Sequence, residues 1–417
     1  GFNKVAVSIR ILRELKFLRL LRGHENIVEI KDILVPDLQK DFQDVFVVFE
    51  LMPTDLNHIL RAKTPLSALH IQYFMYQLLR GLYFLHSAGV FHRDLKPNNI
   101  LINNTCELRI CDFGLARASF DETEDLVYWT DYVATRWYRA PELILTHYTK
   151  YSTAIDVWSV GCIFAEMLGK GKPLFPGKNS IEQLELMTAI IGTPSDEAIA
   201  KLQSPHARQH FHKLARTARK PFTQIYPHAD PLACDLLEKL LDFDPARRPT
   251  ALEALQHPYV ADFYEPGREP AGKPIDPREF DFERMRNAHR TTWRRLFLEE
   301  IYLYHPEHSD IYFDQAHFRG GITMEMSRTM SSGGNSASHP DRFSPGFERP
   351  SQAEAFARGM RSVQEGIEQR KSTSLPKSTL EPINAAYRER RRERLAEKEI
   401  SSSREPNSSE ASHSSVT

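Results

Sequence analysis

The chain of 417 residues is short of three things: paired cysteines, long apolar runs and an excess of charge of one sign. Its four cysteines, at positions 106, 111, 162 and 234, lack the paired spacing of metal ligands. Dispersed cysteines of this kind are typical of free, mostly buried thiols in a reducing compartment. A formal net charge of -1 argues against a nucleic-acid partner. No run reaches the length of a membrane span and no signal peptide opens the chain, so we expect no membrane partner.

Composition changes along the chain and predicts where the folded part stops. Hydrophobic residues make up 41% and charged residues 26%, which suits a soluble globular protein. From Gly320 onward Ser, Gly, Pro and Arg dominate, and such a segment cannot bury enough apolar surface to offset its ordering entropy. We therefore expect a disordered Ser/Arg-rich tail over residues 316–417. The start at Gly1 rather than Met suggests a fragment.

Apolar periodicity predicts mainly helices between these ends. A spacing of three to four residues indicates helices over 8–22, 71–86, 156–168, 232–241, 251–255 and 296–303. The helix over 156–168 has few polar positions and should be buried. A continuous β-rich apolar run from Val45 to Phe49 predicts a short buried strand.

The most informative segment is Phe91-His92-Arg93-Asp94-Leu95-Lys96-Pro97-Asn98-Asn99. It places an acid, a base and an amide in one short loop, a set that can accept a hydroxyl proton, neutralise a transferring phosphate and hold a metal ion. Asp112-Phe113-Gly114 follows, and then Ala140-Pro141-Glu142. These three motifs in this order and spacing indicate the protein-kinase fold.

Further residues resemble one kinase family, the mitogen-activated protein kinases, in the branch whose activation motif is Thr-Asp-Tyr. The resemblance covers residues 2 to about 314 and is strongest in Thr130-Asp131-Tyr132 followed by Val133-Ala134-Thr135-Arg136-Trp137-Tyr138-Arg139-Ala140-Pro141-Glu142. Cyclin-dependent kinases, the nearest alternative, lack the Thr-x-Tyr pair. Other matching segments are Leu174-Phe175-Pro176-Gly177, Ile191-Gly192-Thr193-Pro194 and Phe243-Asp244-Pro245-Ala246-Arg247-Arg248-Pro249-Thr250.

The resemblance implies ATP and Mg²⁺ as cofactors and a role for each matching residue. Asp94 would accept the substrate's hydroxyl proton, Lys96 would stabilise charge on the γ-phosphoryl group, and Asn99 and Asp112 would ligate magnesium. Oxygen ligands suit a hard cation that neutralises phosphate. The residues that would contact the nucleotide, besides Asp112, are Glu50, Met52, Asp55 and Leu101.

Regulation and structural support are implied in the same way. Thr130 and Tyr132 would be phosphorylated by an upstream dual-specificity MAP kinase kinase. Their phosphates would bind a set of arginines, which we call the phosphate clamp: Arg13, Arg93 and Arg117 for the threonine, and Arg136 and Arg139 for the tyrosine. Asp156 and the pair Glu142 and Arg248 would be structural. Asp55 could also be a simple turn residue or cap.

The chain departs from the family pattern at its beginning. No glycine-rich phosphate loop and no strand-borne lysine are present; Lys4-Val5-Ala6-Val7 resembles the lysine motif, but Ser8 stands where the lysine would be. Without gaps, Phe2 to Lys16 aligns with the segment just before and within the family's C-helix, which makes Glu14 the acid of that helix. We therefore expect this chain by itself to bind ATP poorly and to be weak or inactive.

The expected fold is α+β and protein-kinase-like with two lobes, of which the small lobe lacks its first three strands and the large lobe is mainly helical. The predicted parts are a small-lobe remnant (1–51), the catalytic lobe (52–258), a C-terminal extension that packs back on the core (259–315) and the tail. Substrates should carry Ser or Thr followed by Pro. A binding scaffold with impaired catalysis is the alternative, but intact Asp94, Lys96, Asn99 and Asp112 favour the enzyme.

Two further expectations concern partners and place. Asp262, Glu265 and Glu269 could form an acidic patch for basic docking motifs, although Arg268 lies among them and scattered surface charge is the alternative. Signalling kinases of this family imply a location in the cytoplasm, with the nucleus left open.

Overall fold

The computed structural model describes residues 4–37, 42–62, 66–118, 136–145, 152–200, 205–285 and 287–308. All of them lie in the first of two compact units, residues 1–359. The predicted tail over 316–417 lies outside the described residues.

A helix and a two-stranded sheet form the first part of the fold. Helix α1 (Val5–Leu20) is followed by strand β1 (Ile30–Ile33), which pairs antiparallel with β2 (Val47–Phe49). The helix predicted over 8–22 is confirmed and begins three residues earlier, at Val5. Because Val5-Ala6-Val7 forms its first turn, this stretch is helical and is not the strand that would carry a lysine.

The prediction that Val45 to Phe49 is a buried strand is wrong in its burial. Only Val47–Phe49 is a strand, and Phe46, Val48 and Phe49 are all exposed. The strand pairs with β1 along one edge, but these apolar side chains stay uncovered within the part of the chain that the structure describes. An apolar run therefore predicted the strand, whereas burial depends on what packs against it.

Short strands and long helices make up the remainder of the described fold. The first group is β3 (Thr54–Asp55), α2 (Leu56–Arg61), α3 (Ala68–Ser87), β4 (Val90–Phe91), β5 (Ile100–Ile102), β6 (Leu108–Ile110) and β7 (Arg117–Ala118). The second group is α4 (Pro141–Leu145), α5 (Ala154–Leu168), α6 (Ser180–Ile191), α7 (Asp196–Ala200), α8 (Pro205–Lys213), α9 (Phe222–Ile225), α10 (Pro231–Leu240), α11 (Ala251–Leu255) and α12 (Arg290–Tyr302). The helices predicted from periodicity are all present.

The core of the large lobe forms around α5, as its sequence predicted. Every residue from Ala154 to Leu168 is buried, and the helix packs against α3 and α10. Helix α3 begins at a Ser67 cap, which accepts a hydrogen bond from the His70 amide, and buries Leu78 and Leu82 completely. The architecture is that of a protein kinase with a mainly helical large lobe and an incomplete small one.

Two small sheets flank the loops that carry the predicted site residues. Strands β3, β5 and β6 pair antiparallel in that spatial order, and β4 pairs antiparallel with β7. In this register Asp55 lies opposite Leu101, and Arg117 lies opposite Phe91. The strands are only two or three residues long, so the segments that leave them remain close together.

The predicted structural pair Glu142 and Arg248 is confirmed. Two parallel bonds join them, Nη1 to Oε1 at 2.7 Å and Nη2 to Oε2 at 2.9 Å. The Arg248 side chain is fully buried, donates to the Ala154 carbonyl at 2.9 Å and lies over the Trp158 ring. Such a bidentate pair is geometrically specific, so it ties the start of α4 to the start of α5.

All four cysteines are free thiols, three of them buried and Cys111 partly so. Within the described part of the chain, no helix is long and apolar enough to cross a membrane.

His24 is a neutral, buried histidine that lies between α1 and β1 and contacts α3 of the large lobe. Its Nδ1 accepts a hydrogen bond from the Asn26 amide at 3.0 Å, and its ring stacks on Phe84. Asn26 in turn bonds the Leu108 carbonyl of β6. Burial, with the positive charges of Arg80 and Arg109, lowers the pKa of His24 to about 3.

We predict that His24 makes folding stability depend on pH. In the unfolded chain a histidine titrates near its ordinary pKa of 6.5. The stabilisation is therefore present above that pH and lost as pH falls toward 3. Below pH 6 the unfolding free energy should fall roughly 1 kcal/mol per pH unit more steeply than in a His24→Asn variant.

Urea unfolding at a series of pH values measures this slope. His212→Asn, which removes an exposed histidine, should keep the parental slope. Equal slopes for the parent and His24→Asn would contradict the prediction.

Candidate active site

A buried carboxylate shapes the loop between β4 and β5. Asp156 of α5 is fully buried and accepts hydrogen bonds from the backbone amides of His92 at 2.9 Å and Arg93 at 2.8 Å. It also bonds His86 Nε2 at 3.0 Å. Arg93 has a φ of 70°, in the left-handed region, which costs energy for a non-glycine residue. The two amide bonds to Asp156 hold this conformation in place, as the predicted structural role requires.

The charge of Asp156 is favoured by its partners in spite of burial. Burial alone would raise the pKa of Asp156, but the hydrogen bond and charge of His86 and the amide of Arg93 outweigh it and hold the pKa below its usual value. An ionised carboxylate is therefore available at neutral pH as the acceptor beneath the loop.

The three predicted catalytic side chains meet on this loop. Lys96 Nζ lies 2.6 Å from Asp94 Oδ2. Asn99 donates its side-chain amide to the Asp94 carbonyl at 2.8 Å and to Asp94 Oδ2 at 3.2 Å. Asp94 and Asn99 are mostly buried, whereas Lys96 is more open. The arrangement places a cation and an amide within hydrogen-bond distance of the same acid.

His92 connects this loop to the loop that carries Asp112. Its Nε2 donates to the Cys111 carbonyl at 2.9 Å, while its Nδ1 accepts from the Asp94 amide at 3.3 Å. The Cys111 amide also donates to the Asn99 carbonyl at 3.0 Å. Phe113 stands edge-on to the His92 ring, with centroids 5.0 Å apart. The two predicted metal ligands are therefore held in fixed relation by backbone bonds.

Asp112 and Glu14, the acid of the C-helix α1, are close enough for their charges to interact. Asp112 has a φ of 63°, and its Oδ1 lies 3.4 Å from Nη2 of Arg10 on α1. Burial and the charge of Asp112 raise the pKa of Glu14 to about 7, against the lowering effect of Arg10. The motifs of the sequence did not predict a role for Arg10, because its contact depends on how α1 lies over the loop.

The side chains fit a magnesium ion by the chemistry of their donors. The amide nitrogen of Asn99 is engaged by Asp94, which leaves its oxygen as the atom for a cation. Asp112 lies beside the cationic group of Arg10, and its carboxylate oxygens are the second set of donors for a cation. Two oxygen donors of this kind are what Mg²⁺ uses beside phosphate.

The predicted nucleotide contacts lie on β3, β5 and the segment after β2. Glu50 bonds Arg109, with Oε1 to Nη2 at 3.0 Å, and Met52 is partly buried. Asp55 caps α2, since Oδ1 accepts from the His58 amide at 2.9 Å and Oδ2 contacts His58 Nδ1 at 2.7 Å. Leu101 lies opposite Asp55. The capping alternative for Asp55 is therefore present, while its nucleotide contact stays a prediction.

Two arginines of the predicted phosphate clamp meet at one carboxylate, while the clamp itself stays a prediction. Arg13 and Arg117 both reach Glu283, at 2.5 Å and 3.8 Å. Arg93 comes two residues after Phe91, which pairs with Arg117. Arg136 donates to the Lys178 carbonyl at 2.9 Å and Arg139 is buried. Thr130 and Tyr132 lie outside the described residues, so their predicted phosphorylation is not addressed by this geometry.

Acidic residues of the C-terminal extension neutralise one face of α1. Glu279 pairs with Lys16 at 3.1 Å and Arg19 at 2.8 Å, and Glu300 pairs with the same two cations. The ring of Phe17 packs against that of Phe280 in a tilted arrangement, with centroids 4.4 Å apart. The extension therefore packs back on the core through α1. The signal available in the sequence was the basic spacing 13, 16 and 19 on the helix, for which the sequence predicted no partner in the extension.

The acidic docking patch is only partly available. Glu269 turns inward, where it accepts from Tyr76 at 3.0 Å and from Arg80 at 2.8 Å. Glu265 pairs with Arg268 at 2.5 Å on the surface. Two of the three predicted carboxylates are thus neutralised within the chain, so a basic docking peptide would meet less negative charge here than the sequence suggested.

Comparison with known proteins gives the family. A profile of the protein kinase domain matches residues 3–260. The chain is 47% identical over 373 residues to mitogen-activated protein kinase 16 of Oryza sativa subsp. japonica, covering 89% of this chain and 69% of that protein. It is 52% identical over 320 residues to mitogen-activated protein kinase 9 of Arabidopsis thaliana, covering 77% and 61%.

The fold, the matching profile and these relatives identify the chain as a protein kinase. The chain belongs, within the protein kinases, to the mitogen-activated protein kinase family. It spans between about half and about two thirds of the length of the curated relatives it matches, for example 54% of mitogen-activated protein kinase 17 of Oryza sativa subsp. japonica.

We predict that Asp156→Asn destabilises the protein strongly. The substitution removes the negative charge that accepts hydrogen bonds from two backbone amides and from His86. It also puts an amide NH₂ group opposite a buried donor, which leaves that donor unsatisfied. The expected loss of unfolding free energy is roughly 2 to 4 kcal/mol, measured by chemical denaturation.

Asp235→Asn is the matched control, since Asp235 also accepts from a histidine, His257, at 3.0 Å but is half exposed. Its cost should stay below about 1 kcal/mol. Similar losses for the two variants would show that the loop does not depend on the buried carboxylate.

Proposed function

We propose that this chain carries the catalytic lobe of a serine/threonine protein kinase that transfers the γ-phosphoryl group of ATP to Ser or Thr followed by Pro. The observation that supports this most is the meeting of Asp94, Lys96 and Asn99 on one loop that His92 ties to Asp112. A binding scaffold without catalysis would not need all four of these side chains.

In this proposal the chain's residues position the reactants and stabilise charge. The substrate's hydroxyl oxygen attacks the γ-phosphorus, the bond to the bridging oxygen of ADP breaks, and Asp94 accepts the hydroxyl proton. Lys96, which lies beside Asp94, would neutralise the phosphoryl oxygens as the bond changes. Asn99 and Asp112 would hold magnesium, which when bound neutralises the nucleotide's phosphates.

Fixed geometry is what this chemistry asks of the protein. Phosphoryl transfer requires positioning more than covalent help. The backbone bond from Cys111 to the Asn99 carbonyl and the His92 bridge hold the two loops together without any contact from substrate. Such preorganisation supports a catalytic role over a purely structural one.

We predict that Asp94→Ala lowers phosphate transfer by roughly 10² to 10⁴-fold, because the group that accepts the proton is removed. Because this chain lacks the glycine-rich loop and the strand-borne lysine, the assay uses a protein to which these small-lobe segments have been added. The reaction contains Mg-ATP and a peptide with a Ser-Pro site, and a Ser-Ala peptide tests the requirement for proline. Asp196→Ala, which removes an exposed aspartate of α7 paired with Arg216, is the control. Activity within a few-fold of the parent after Asp94→Ala would refute the proposal.

We also propose that phosphates on Thr130 and Tyr132, added by an upstream dual-specificity MAP kinase kinase, switch the enzyme on. The five clamp arginines support this, because bidentate pairing of arginine with phosphate can order a segment. The relatives support the kinase class to which such a cascade belongs.

The expected result is that a Thr130→Ala, Tyr132→Phe protein keeps only basal activity after incubation with the upstream kinase and ATP. Loss of both hydroxyls removes the acceptors of phosphate, so the clamp stays without its ligand. The control is Thr105→Ala, which removes an exposed hydroxyl. Full activation of the doubly substituted protein, checked by mass spectrometry for its phosphates, would contradict the switch.

A further inference from the structure

One acidic residue of the C-terminal extension reaches the metal-binding loop through α1. Glu283 Oε1 accepts from Arg13 Nε at 2.5 Å, and its other oxygen lies 3.8 Å from Arg117 Nε. On its other arm Arg13 donates through Nη1 to the Gly114 carbonyl at 2.7 Å. We propose that Glu283 is a positioning residue that orients Arg13 and thereby holds the loop Asp112–Gly114.

The geometry of arginine explains why the anion matters. The guanidinium is planar, so a carboxylate at Nε sets the plane in which Nη1 points. The Arg13 side chain is only 6% exposed, and a buried charge without its partner is costly. If Glu283 lost its charge, Arg13 would have reason to turn toward water and release the Gly114 carbonyl.

Gly114 is also in close contact with another arginine of the same helix. A methyl group at Gly114 would lie 2.5 Å from Arg10 Nε, and Arg10 contacts Asp112. Arg10 and Arg13, nearly one turn apart on α1, therefore both contact the loop. Of these two, Arg13 is the one whose second bond comes from the extension.

The remaining contacts of the extension do not depend on Glu283. Lys16 and Arg19 pair with Glu279 and Glu300, and Phe17 packs on Phe280. Removing the charge of Glu283 should therefore loosen the loop while the extension stays in place. The functional meaning of that loop rests on the proposed function, but the contact and its test do not.

Cys111 reports on the loop because it comes directly before Asp112. It is partly buried, while Cys106, Cys162 and Cys234 are buried elsewhere. Alkylation of the full chain by iodoacetamide at fixed pH, followed by mass spectrometry of each cysteine, gives four rates from one sample. In Glu283→Gln we expect the rate at Cys111 to rise roughly three- to tenfold, with the other three unchanged.

Glu279→Gln is the matched control, since it makes the same change on the same segment but faces Lys16 and Arg19. It should leave the Cys111 rate at the parental value. Arg13→Lys is the second variant: a lysine cannot reach Glu283 and the Gly114 carbonyl with a planar fork. It should match Glu283→Gln, and the double variant should add nothing further.

Three results would overturn the proposal: an unchanged Cys111 rate in both Glu283→Gln and Arg13→Lys, a parallel rise at all four cysteines, or an equal effect of Glu279→Gln. A parallel rise would mean general loosening of the fold rather than positioning. Should Glu283→Gln fail to fold, Arg13→Lys alone decides. The measurement needs no ATP and no catalysis, so its outcome is separate from that of the Asp94→Ala assay.

Discussion

The site depends on one buried carboxylate, that of Asp156. It accepts hydrogen bonds from two backbone amides of the loop between β4 and β5 and from the ring of His86. These bonds stabilise the left-handed conformation of Arg93, which costs about 1 to 3 kcal/mol. The carboxylate sits on α5, which is buried along its whole length. The position of Asp94 and Asn99 is therefore set from beneath by the rigid core rather than by the loop's own sequence.

A second constraint concerns α1, which carries Glu14 and the two arginines, Arg10 and Arg13, that contact the loop Asp112–Gly114. The described small-lobe sheet is only β1 and β2, and α1 is held both by the turn at Phe113–Leu115 and by the C-terminal extension. Phe17 packs on Phe280 of the extension and, at a centroid distance of 6.5 Å, faces Phe113 of the loop. A change in how the extension packs on Phe17 would therefore alter the packing around Phe113.

Ion pairs between α1 and the C-terminal extension run along one face of the helix. The basic residues Arg13, Lys16 and Arg19 recur every three positions, so they form one stripe on the helix. Acidic residues of the extension meet this stripe, and because the pairs are mostly buried, salt screens them less than exposed pairs. Burial alone would raise the pKa of Glu279, yet Lys16 and Arg19 hold that pKa below its usual value.

The motif residues of the site and the main helices could be predicted from local sequence, whereas burial and long-range ion pairs could not. The motifs around Asp94 and Asp112 are short and contiguous, and the long helices follow from apolar spacing, so both were predicted from the chain alone. The burial of β2 was predicted wrongly and the inward direction of Glu269 was not predicted, because each depends on which distant segment packs there. The contacts of Arg10 and Glu283 were missed for the same reason.

The sequence by itself determined the kinase class, the identity of the candidate catalytic side chains and the positions of the main helices. Only the tertiary structure decided which charges meet: Glu283 with Arg13 across 270 residues of chain, Arg10 with Asp112, and Glu269 with Arg80 rather than with solvent. The physical reason is that motifs and periodicity act over a few residues, whereas ion pairing depends on distance in space, which the packing of α1, α3 and the extension sets.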